Sequence, residues 1–174
     1  MKSPHMRIEP TTMACLPIST SDGKFTARYT IGGLCGLDFP DAGQGQANRA
    51  PENVSKQVRQ WHTVTREAVR NALAGKDPGE LPPLDMSVGS EFQQQVWEAM
   101  RRIPLGEWRS YQDIARTIGR PKAVRAVGGA CGANPIPLLV PCHRVLASGG
   151  KIGGFSGGLD WKWRLLEREK VPVA

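Results

Sequence analysis

The stretch from Asn134 to Leu146, NPIPLLVPCHRVL, constrains the fold more than any other part of the chain. Three prolines (Pro135, Pro137 and Pro141) interrupt a short apolar run, and the run is followed by an adjacent cysteine and histidine. Each proline fixes φ and removes a backbone donor, so the segment is predicted to be extended and rigid rather than helical. A segment of this kind holds one side chain, here that of Cys142, at a fixed place.

The length and composition are those of a globular protein. The chain has 174 residues, of which 40% are hydrophobic and 22% charged, enough for one ordinary domain or two small ones. No apolar run approaches the roughly 20 residues needed to span a bilayer. The N-terminus MKSPHMRIEP lacks the apolar centre of a signal peptide. We therefore expect a cytoplasmic protein that does not contact membranes.

The positive charge is concentrated in the second half of the chain. Residues 1–85 carry 10 basic and 9 acidic side chains, a net charge of +1, whereas residues 86–174 carry 13 and 7, a net charge of +6. The basic surplus thus accompanies the Cys-His stretch. It indicates a polyanionic partner, and a solvated basic face is the alternative interpretation.

The first half is predicted to be a small α+β unit. Residues 8–40 fit an antiparallel meander, in which one face of the second strand is apolar. That face would consist of Phe25, Ala27, Tyr29 and Ile31. An amphipathic helix is predicted over Pro51–Leu73, with Gly75 as its terminator, and the proline-rich residues 76–86 have the character of a linker.

The second half is predicted to be mostly helical. Ser90 and Gln93 fit a capping box that opens a helix. The apolar stripe of this helix is Phe92, Val96, Trp97, Met100 and Ile103. A second capping box, Ser110–Asp113, opens a short helix, and a further helix is predicted over about 122–133. Two short helices joined by the turn 119–121 suggest a helix-turn-helix.

The last of these helices has an unusual content of glycine. Gly128, Gly129 and Gly132 each cost about 1 kcal/mol relative to alanine in a helix interior. Arg125 is the one charged side chain near its middle. A smooth helix of this kind fits the minor groove of DNA with one inserted side chain. Close packing against a neighbouring helix explains the glycines equally well, and the sequence favours neither interpretation.

Cys142 is the candidate nucleophile. A free cysteine has a pKa of about 8.5 and needs a base or a positive field to react as a thiolate. His143 is adjacent, but neighbours in an extended segment point to opposite sides, so direct contact between the two side chains does not follow and a water molecule could connect them. The histidine in turn needs a carboxylate to orient it. Glu169 lies three residues after the core position Leu166 and can therefore face inward, whereas Glu167 is expected to face solvent. An exposed helix charge is the alternative for each, and it is the commoner case.

The segment 147–158 contains SGGKIGGFSGG and is too rich in glycine to be a packed element. Its backbone N–H groups can approach a ligand closely, as in a phosphate loop or in a lid over a planar ligand. The sequence lacks the GK[ST] pattern of nucleotide phosphate loops, which favours the lid.

These motifs together closely resemble the O6-alkylguanine-DNA alkyltransferase family. The resemblance rests on PCHRV at 141–145, on the preceding RAVGGACGANP and on the following GGFSGG. It runs without a gap from Phe92 to Glu169 and is fainter over the first 85 residues. It implies an α+β fold of two domains. Residues 1–85 would form a ribonuclease-H-like α+β domain with 1–6 disordered, and 87–174 a mostly helical, winged-helix-like DNA-binding and alkyl-acceptor domain.

The resemblance also implies roles for individual residues. Cys142 would accept the alkyl group, with His143 as its base through a water molecule and Glu169 as the group that orients the histidine. Tyr111 would protonate the departing guanine ring and contact the DNA backbone. Further DNA contacts would come from Arg125, which fills the stack, and from Ala126 and Gly129. The substrate pocket would include Asn134, Val145, Phe155 and Ser156.

The implied activity is DNA repair by irreversible, single-turnover alkyl transfer from O6-alkylguanine, and from O4-alkylthymine, after base flipping. The partner would be double-stranded DNA, bound by a monomer, with cooperative binding left open and no cofactor needed. No metal is expected, because Cys15, Cys35, His5 and His62 lack the usual ligand spacing.

One residue departs from the family pattern. Phe155 stands where the family commonly has tyrosine, which predicts a changed substrate preference rather than loss of activity. Two other functions were weighed against alkyl transfer. A non-catalytic sensor of alkylated DNA is disfavoured by the presence of Cys142. A cysteine hydrolase is disfavoured by the adjacency of Cys142 and His143 and by the lack of an evident oxyanion motif.

Overall fold

The computed structural model describes residues 14–40 and 53–174. The expected leader at 1–6 and the start of the predicted helix at Pro51 lie outside these residues. The first described element is a three-stranded antiparallel sheet whose strands lie side by side in chain order, which confirms the meander over 14–40; residues 8–13 of the prediction lie outside the described part. Its strands are β1 (Ala14–Thr20), β2 (Gly23–Thr30) and β3 (Gly33–Asp38).

One face of this sheet forms part of the core. Phe25, Ala27 and Tyr29 alternate along β2 and are fully buried, as the period-2 pattern predicts. The prediction was wrong for Ile31, which is 86% exposed. The strand ends at Thr30, so Ile31 lies in the turn before β3 and no longer follows the alternation.

The first helix, α1 (Lys56–Leu73), packs on the sheet. It begins later than predicted, because the side chain of Ser55 accepts a hydrogen bond from the backbone N–H of Val58 and caps the helix there. Gly75 has φ +69°, the left-handed conformation that commonly follows a helix, which confirms it as the terminator.

The second half contains four α-helices and two short strands. Both predicted capping boxes are present, with Ser90 and Gln93 at one helix and Ser110 and Asp113 at another. The helices are α2 (Glu91–Arg101), α3 (Tyr111–Thr117), α4 (Val124–Gly132) and α5 (Leu159–Arg168), and β4 (Arg109–Ser110) pairs in parallel with β5 (Val145–Leu146). The described part is therefore a mixed α/β fold with a small antiparallel sheet and five α-helices.

The proline-rich segment before Cys142 is not extended, so that prediction was wrong. The backbone N–H of Val140 bonds the carbonyl oxygen of Ile136, and Leu138 takes a left-handed φ of +76°. Cys142–Arg144 then form a single 3-10 turn. The proline ring fixes φ near −65°, and this value occurs in turns as well as in extended chain. Prolines alone therefore do not distinguish the two conformations. The segment is folded back on itself.

Side chains from both halves meet in one contiguous core. The ring centroid of Trp161 in α5 lies 5.6 Å from that of Phe25 and 5.0 Å from that of Phe39, with edge-on geometry. In the second half, the Nε1–H of Trp97 donates to the carbonyl oxygen of Ala130 (2.8 Å) and ties α2 to α4. Across 14–40 and 53–174, no helix has the length and apolarity to cross a membrane.

Candidate active site

Asn134 holds the turn that carries Cys142. Its side-chain Nδ2 donates to the carbonyl oxygen of Val140 (2.8 Å), and its Oδ1 accepts from the backbone N–H of Ile136 (3.0 Å). Both bonds are buried, where a hydrogen bond is strong and costly to leave unmade. This one amide fixes the chain between the end of α4 and Cys142.

A buried pair stands next to the cysteine. Nε2 of His143 lies 2.8 Å from Oε1 of Glu169, and both side chains are almost completely buried. Glu167 is exposed, so the expectation that Glu169 faces inward and Glu167 faces solvent is confirmed. The other ring nitrogen, Nδ1 of His143, is buried and has no hydrogen-bond partner among the described residues.

Arg144 belongs to the same cluster, although the sequence analysis assigned it no part. Its Nε lies 2.9 Å from Oε2 of Glu169 and its Nη2 lies 3.0 Å from Oε1, while Nη1 donates to the carbonyl oxygen of Ile103 (2.7 Å). Burial opposes ionisation of Glu169, but the hydrogen bonds from His143 and Arg144 outweigh it and lower its pKa to about 2. Glu169 is therefore a carboxylate at neutral pH.

The protonation states of the neighbouring groups follow from burial. Burial raises the pKa of Cys142 to about 11, although the side-chain hydrogen bond of Asn134 and the charge of Lys162 act against the increase. Burial also lowers the pKa of His143, although Glu169 acts in the opposite direction. At neutral pH Cys142 is thus a protonated thiol and His143, the next residue, a neutral imidazole. These are the protonation states that a nucleophile and a general base need before the proton moves.

Lys162 is a second residue that the sequence analysis missed. Its side chain is fully buried, and Nζ donates to the carbonyl oxygens of Val145 (2.7 Å) and Gly154 (2.9 Å). Burial lowers its pKa to about 8, against the opposing effect of Cys142 and Cys131. An amphipathic α5 could have signalled it, since position 162 lies one residue after the buried Trp161 and three before the buried Leu165.

A cavity of about 210 Å³ opens beside the thiol. Its lining comes from α3, from α4, from the Cys142 turn and from the glycine-rich loop. The residues are Tyr111, Gly128, Cys131, Gly132, Cys142, Gly154, Phe155 and Ser156. Of the expected pocket residues, Phe155 and Ser156 line this cavity, whereas Asn134 and Val145 do not and instead support it from outside. The Phe155 ring packs edge-on against Phe39 at 5.8 Å.

The glycines of α4 face open space. A Cβ atom added at Gly128, Gly129 or Gly132 would meet nothing within 4 Å among the described residues outside its own stretch of helix. Close packing against a neighbouring element of the chain therefore does not explain them, and that interpretation was wrong. Arg125 and Ala126 are exposed on the same helix. Because α4 begins at Val124, Arg125 lies in the first turn and not near the middle.

The described residues contain no group of three or more metal-ligating side chains placed to hold an ion. His62 is one of the four residues considered above as metal ligands. Its Nδ1 lies 3.0 Å from the hydroxyl oxygen of Tyr29, and the side chain is half-buried against the sheet. His5 lies outside the described residues, so the absence of a metal stays a prediction.

The comparisons with known proteins agree with this geometry. Residues 91–171 match the family model of the 6-O-methylguanine DNA methyltransferase DNA-binding domain. A methylated-DNA–protein-cysteine methyltransferase of Mycolicibacterium paratuberculosis is 54% identical over 101 residues, which cover 55% of this chain and 61% of that protein. One of Methanosarcina acetivorans is 50% identical over 107 residues, which cover 60% of this chain and 68% of that protein.

Solved structures are similar over a larger part of the chain. The crystal structure of Mycobacterium tuberculosis OGT in complex with DNA has a TM-score of 0.69 and 37% identity, and the match covers 88% of this chain and 91% of that one. Fold and site together define a class of proteins in which a buried cysteine lines a small cavity beside a domain that matches the family's DNA-binding model. The chain belongs to the methylated-DNA–protein-cysteine methyltransferase family. The match spans less than two-thirds of the length of the M. paratuberculosis relative.

Proposed function

We propose that this protein repairs DNA by transferring the alkyl group of O6-alkylguanine to Cys142. The observation that carries the proposal is the position of the thiol. Cys142 lines a cavity bordered by the open glycine face of α4, and the next residue, His143, forms a buried pair with Glu169. The relatives named above are methylated-DNA–protein-cysteine methyltransferases, and one structural neighbour was solved with DNA.

The chemistry begins with removal of the thiol proton. Glu169 accepts the Nε2–H of His143, so the lone pair of Nδ1 is available to take the proton of Cys142 through a water molecule. The sulfur then bonds to the alkyl carbon while the carbon–oxygen bond breaks, and guanine leaves with the electron pair. The product is a thioether, which is stable to hydrolysis in the cell, so each molecule reacts once.

Tyr111 is the proposed acid for the departing base. It lines the same cavity, and burial raises the pKa of its hydroxyl above the usual value. The phenol therefore keeps its proton at neutral pH and can donate it to the guanine ring as negative charge develops there. A better leaving group lowers the barrier for attack by the thiolate.

The base reaches the cavity by flipping out of the duplex. Unstacking costs a few kcal/mol, and a side chain inserted into the gap offsets part of it. Arg125 is the proposed insertion, while Ala126 and Gly129 allow α4 to approach the minor groove. All three are exposed on this helix.

The glycine-rich loop over the cavity and the backbone around it would determine which alkylated base is accepted. Phe155 offers a stacking face without the hydroxyl that the family commonly has, and the backbone N–H of Ser156 would bond the base oxygen. The carbonyl oxygen of Cys142 would accept the guanine amino group. That of Val145, the second proposed acceptor, lies outside the cavity lining and already accepts from Lys162. We include O4-alkylthymine as a second substrate, and we expect Phe155 to change the preference among alkyl groups.

The organisation of the chain fits this function. We propose a ribonuclease-H-like domain over 1–85 and a winged-helix-like domain over 87–174, in which α3 and α4 form the helix-turn-helix. The protein would bind duplex DNA as a monomer, without a cofactor.

The decisive experiment measures the mass of the intact protein after incubation with duplex DNA that carries one O6-methylguanine. The expected result is a single added methyl group on Cys142, at one equivalent and no more. Cys142→Ser serves as the control and should bind the DNA without a mass change. Repeated turnover, or a methyl group on another residue, would overturn the proposal.

A further inference from the structure

Arg168, the last residue of α5, links three elements through one guanidinium group. Its Nη2 and Nη1 lie 2.6 Å and 3.0 Å from the two carboxylate oxygens of Asp22, in the turn between β1 and β2. Its Nη1 also donates to the carbonyl oxygen of Leu73 (2.9 Å), at the end of α1. Two of the three elements thus belong to the first half of the chain, far in sequence from the cysteine.

The backbone of Arg168 is held as well. A Cβ atom added at Gly75 would lie 2.1 Å from the carbonyl oxygen of Arg168, closer than any real contact permits. The turn after α1 therefore lies directly on the end of α5. Any side chain at position 75 would push the two apart, in addition to the strain of its left-handed φ. Both the side chain and the backbone of Arg168 are fixed by the first half.

The next residue is Glu169, and the chain around it has little freedom. The backbone N–H of Val171 bonds the carbonyl oxygen of Leu166 (2.9 Å), and that of Lys170 bonds Glu167 (3.0 Å). Lys170 is in the left-handed conformation at φ +57°. This is the Schellman pattern, which closes the helix end around the residue that carries the buried carboxylate. A displacement of Arg168 is therefore transmitted to Glu169.

We propose that the Asp22–Arg168 pair, seated on Gly75, is a positioning device through which the first half of the chain holds Glu169 against His143. The inference rests on the proposed reaction at Cys142 and gives the N-terminal half a part in it. Asp22 and Arg168 touch neither the thiol nor the cavity lining, so they act through Glu169 as positioning residues. The side chain of Asp22 is 15% exposed and that of Arg168 is 32% exposed. An ion pair this accessible to water adds little to the free energy of unfolding, so its main effect is to fix the position of Arg168.

Reactivity of the thiol towards iodoacetamide at a series of pH values tests this without DNA. The charged groups around His143 are Glu169, Arg144 and Lys162, and a displaced Glu169 makes the imidazole a weaker base for Cys142. Asp22→Ala and Arg168→Ala should each move the pH profile of Cys142 alkylation to higher pH. Each should also slow methyl transfer from DNA on the order of tenfold. The double variant should be no worse than Arg168→Ala alone, because both substitutions break the same ion pair and Arg168→Ala also removes the bond to Leu73.

Asp38→Ala is the matched control. It breaks an ion pair with Arg28 (3.1 Å) that joins β2 to β3, and in the described chain neither side chain has a hydrogen bond or an ion pair with α5. It should leave both the alkylation profile and the methyl-transfer rate at the values of the unmodified protein. Arg168→Lys keeps the charge and should recover part of the rate.

Two results would overturn the inference. One is that Asp22→Ala lowers the melting temperature while the alkylation profile of the folded protein stays unchanged, since the pair would then serve stability alone. The other is that the Asp38→Ala control moves the profile as far as Asp22→Ala does. Failure of the unmodified protein to take a methyl group from DNA would instead contradict the proposed function, and the iodoacetamide profile would still decide the positioning role.

Discussion

The ammonium group of Lys162 donates a hydrogen bond of 2.9 Å to the carbonyl oxygen of Gly154, and this bond joins α5 to the glycine-rich loop. The same group donates to Val145, directly after the Cys142 turn. One buried cation therefore sets the distance between the wall of the cavity and the strand that follows the nucleophile.

Lys162→Met should loosen this loop. The substitution keeps the length of the side chain, but it leaves two carbonyl oxygens without their donor, at a cost of about 1–3 kcal/mol each if they stay dry. We expect faster hydrogen exchange across residues 153–156 and slower methyl transfer. Lys151→Met removes an exposed lysine from the same loop and should change neither. Unchanged exchange in Lys162→Met would show that the lysine does not hold the loop.

Glu169→Gln should make the stability of the protein less dependent on pH. The pKa of Glu169 is lowered from its ordinary value of 4.5 to about 2 in the folded state. Its contribution is therefore complete above the unfolded pKa and is lost as pH falls towards the folded one. The variant should be less stable by about 3 kcal/mol at neutral pH, and the difference should shrink as pH falls below 4.5.

Urea unfolding at neutral and at acidic pH checks this difference. Glu167→Gln, at an exposed position two residues earlier, is the control and should follow the unmodified protein at both pH values. A destabilisation by Glu169→Gln that stays constant with pH would mean that lost packing, and not lost charge, causes it.

Gly129→Ala should separate stability from DNA binding. Alanine is favoured over glycine in a helix by about 1 kcal/mol, and the added Cβ meets nothing within 4 Å outside its own helix. The variant should unfold at a higher temperature yet bind duplex DNA more weakly, as measured by thermal melting and by fluorescence anisotropy. Gly89→Ala is the opposite case, because its Cβ would lie 2.3 Å from the Trp97 ring, and it should be destabilised. Tighter DNA binding by Gly129→Ala would contradict the proposed groove surface.

Arg125→Ala should slow repair of duplex DNA more than reaction with the free base O6-methylguanine. The side chain is exposed in the first turn of α4 and is proposed to fill the gap left by the flipped base. Single-turnover rates on both substrates measure the effect. Arg116→Ala is the control. It removes one exposed positive charge from α3 and so measures how much the rate falls when only the electrostatic attraction to the DNA backbone is weakened. Equal losses on both substrates for Arg125→Ala would argue against a flipping role.

The parts of this fold that follow local rules could be predicted from sequence. The capping boxes at Ser90 and Ser110 and the stop at Gly75 each depend on a few neighbouring residues, and all three are present. The burial of Glu169 was also predictable, because its spacing from Leu166 places it on the apolar face of α5. The error at Ile31 is a boundary error, since the alternation is correct until the strand ends one residue earlier.

The parts that depend on tertiary contacts could not be predicted in this way. The chain around Leu138 folds back because the amide of Asn134 bridges it, and no local pattern distinguishes that turn from extended chain. Arg144 is a charged residue that sequence rules place on the surface, yet it is buried by a partner distant in sequence. The spacing of α5 places Lys162 on the apolar face, but the carbonyl groups that bind its ammonium group there do not follow from the helix. Their partners are Glu169 for the arginine and backbone carbonyls for the lysine.

The three glycines of α4 also have a consequence for how this protein tolerates change. Together they make the helix less stable by about 3 kcal/mol than three alanines would. The whole free energy of unfolding of a typical domain is only about 5–15 kcal/mol. Nothing else in the described chain occupies the space that they leave. A screen that selects only for thermal stability is therefore expected to replace these glycines first. The selected variants would be more stable but would no longer fit the DNA groove proposed as their binding site.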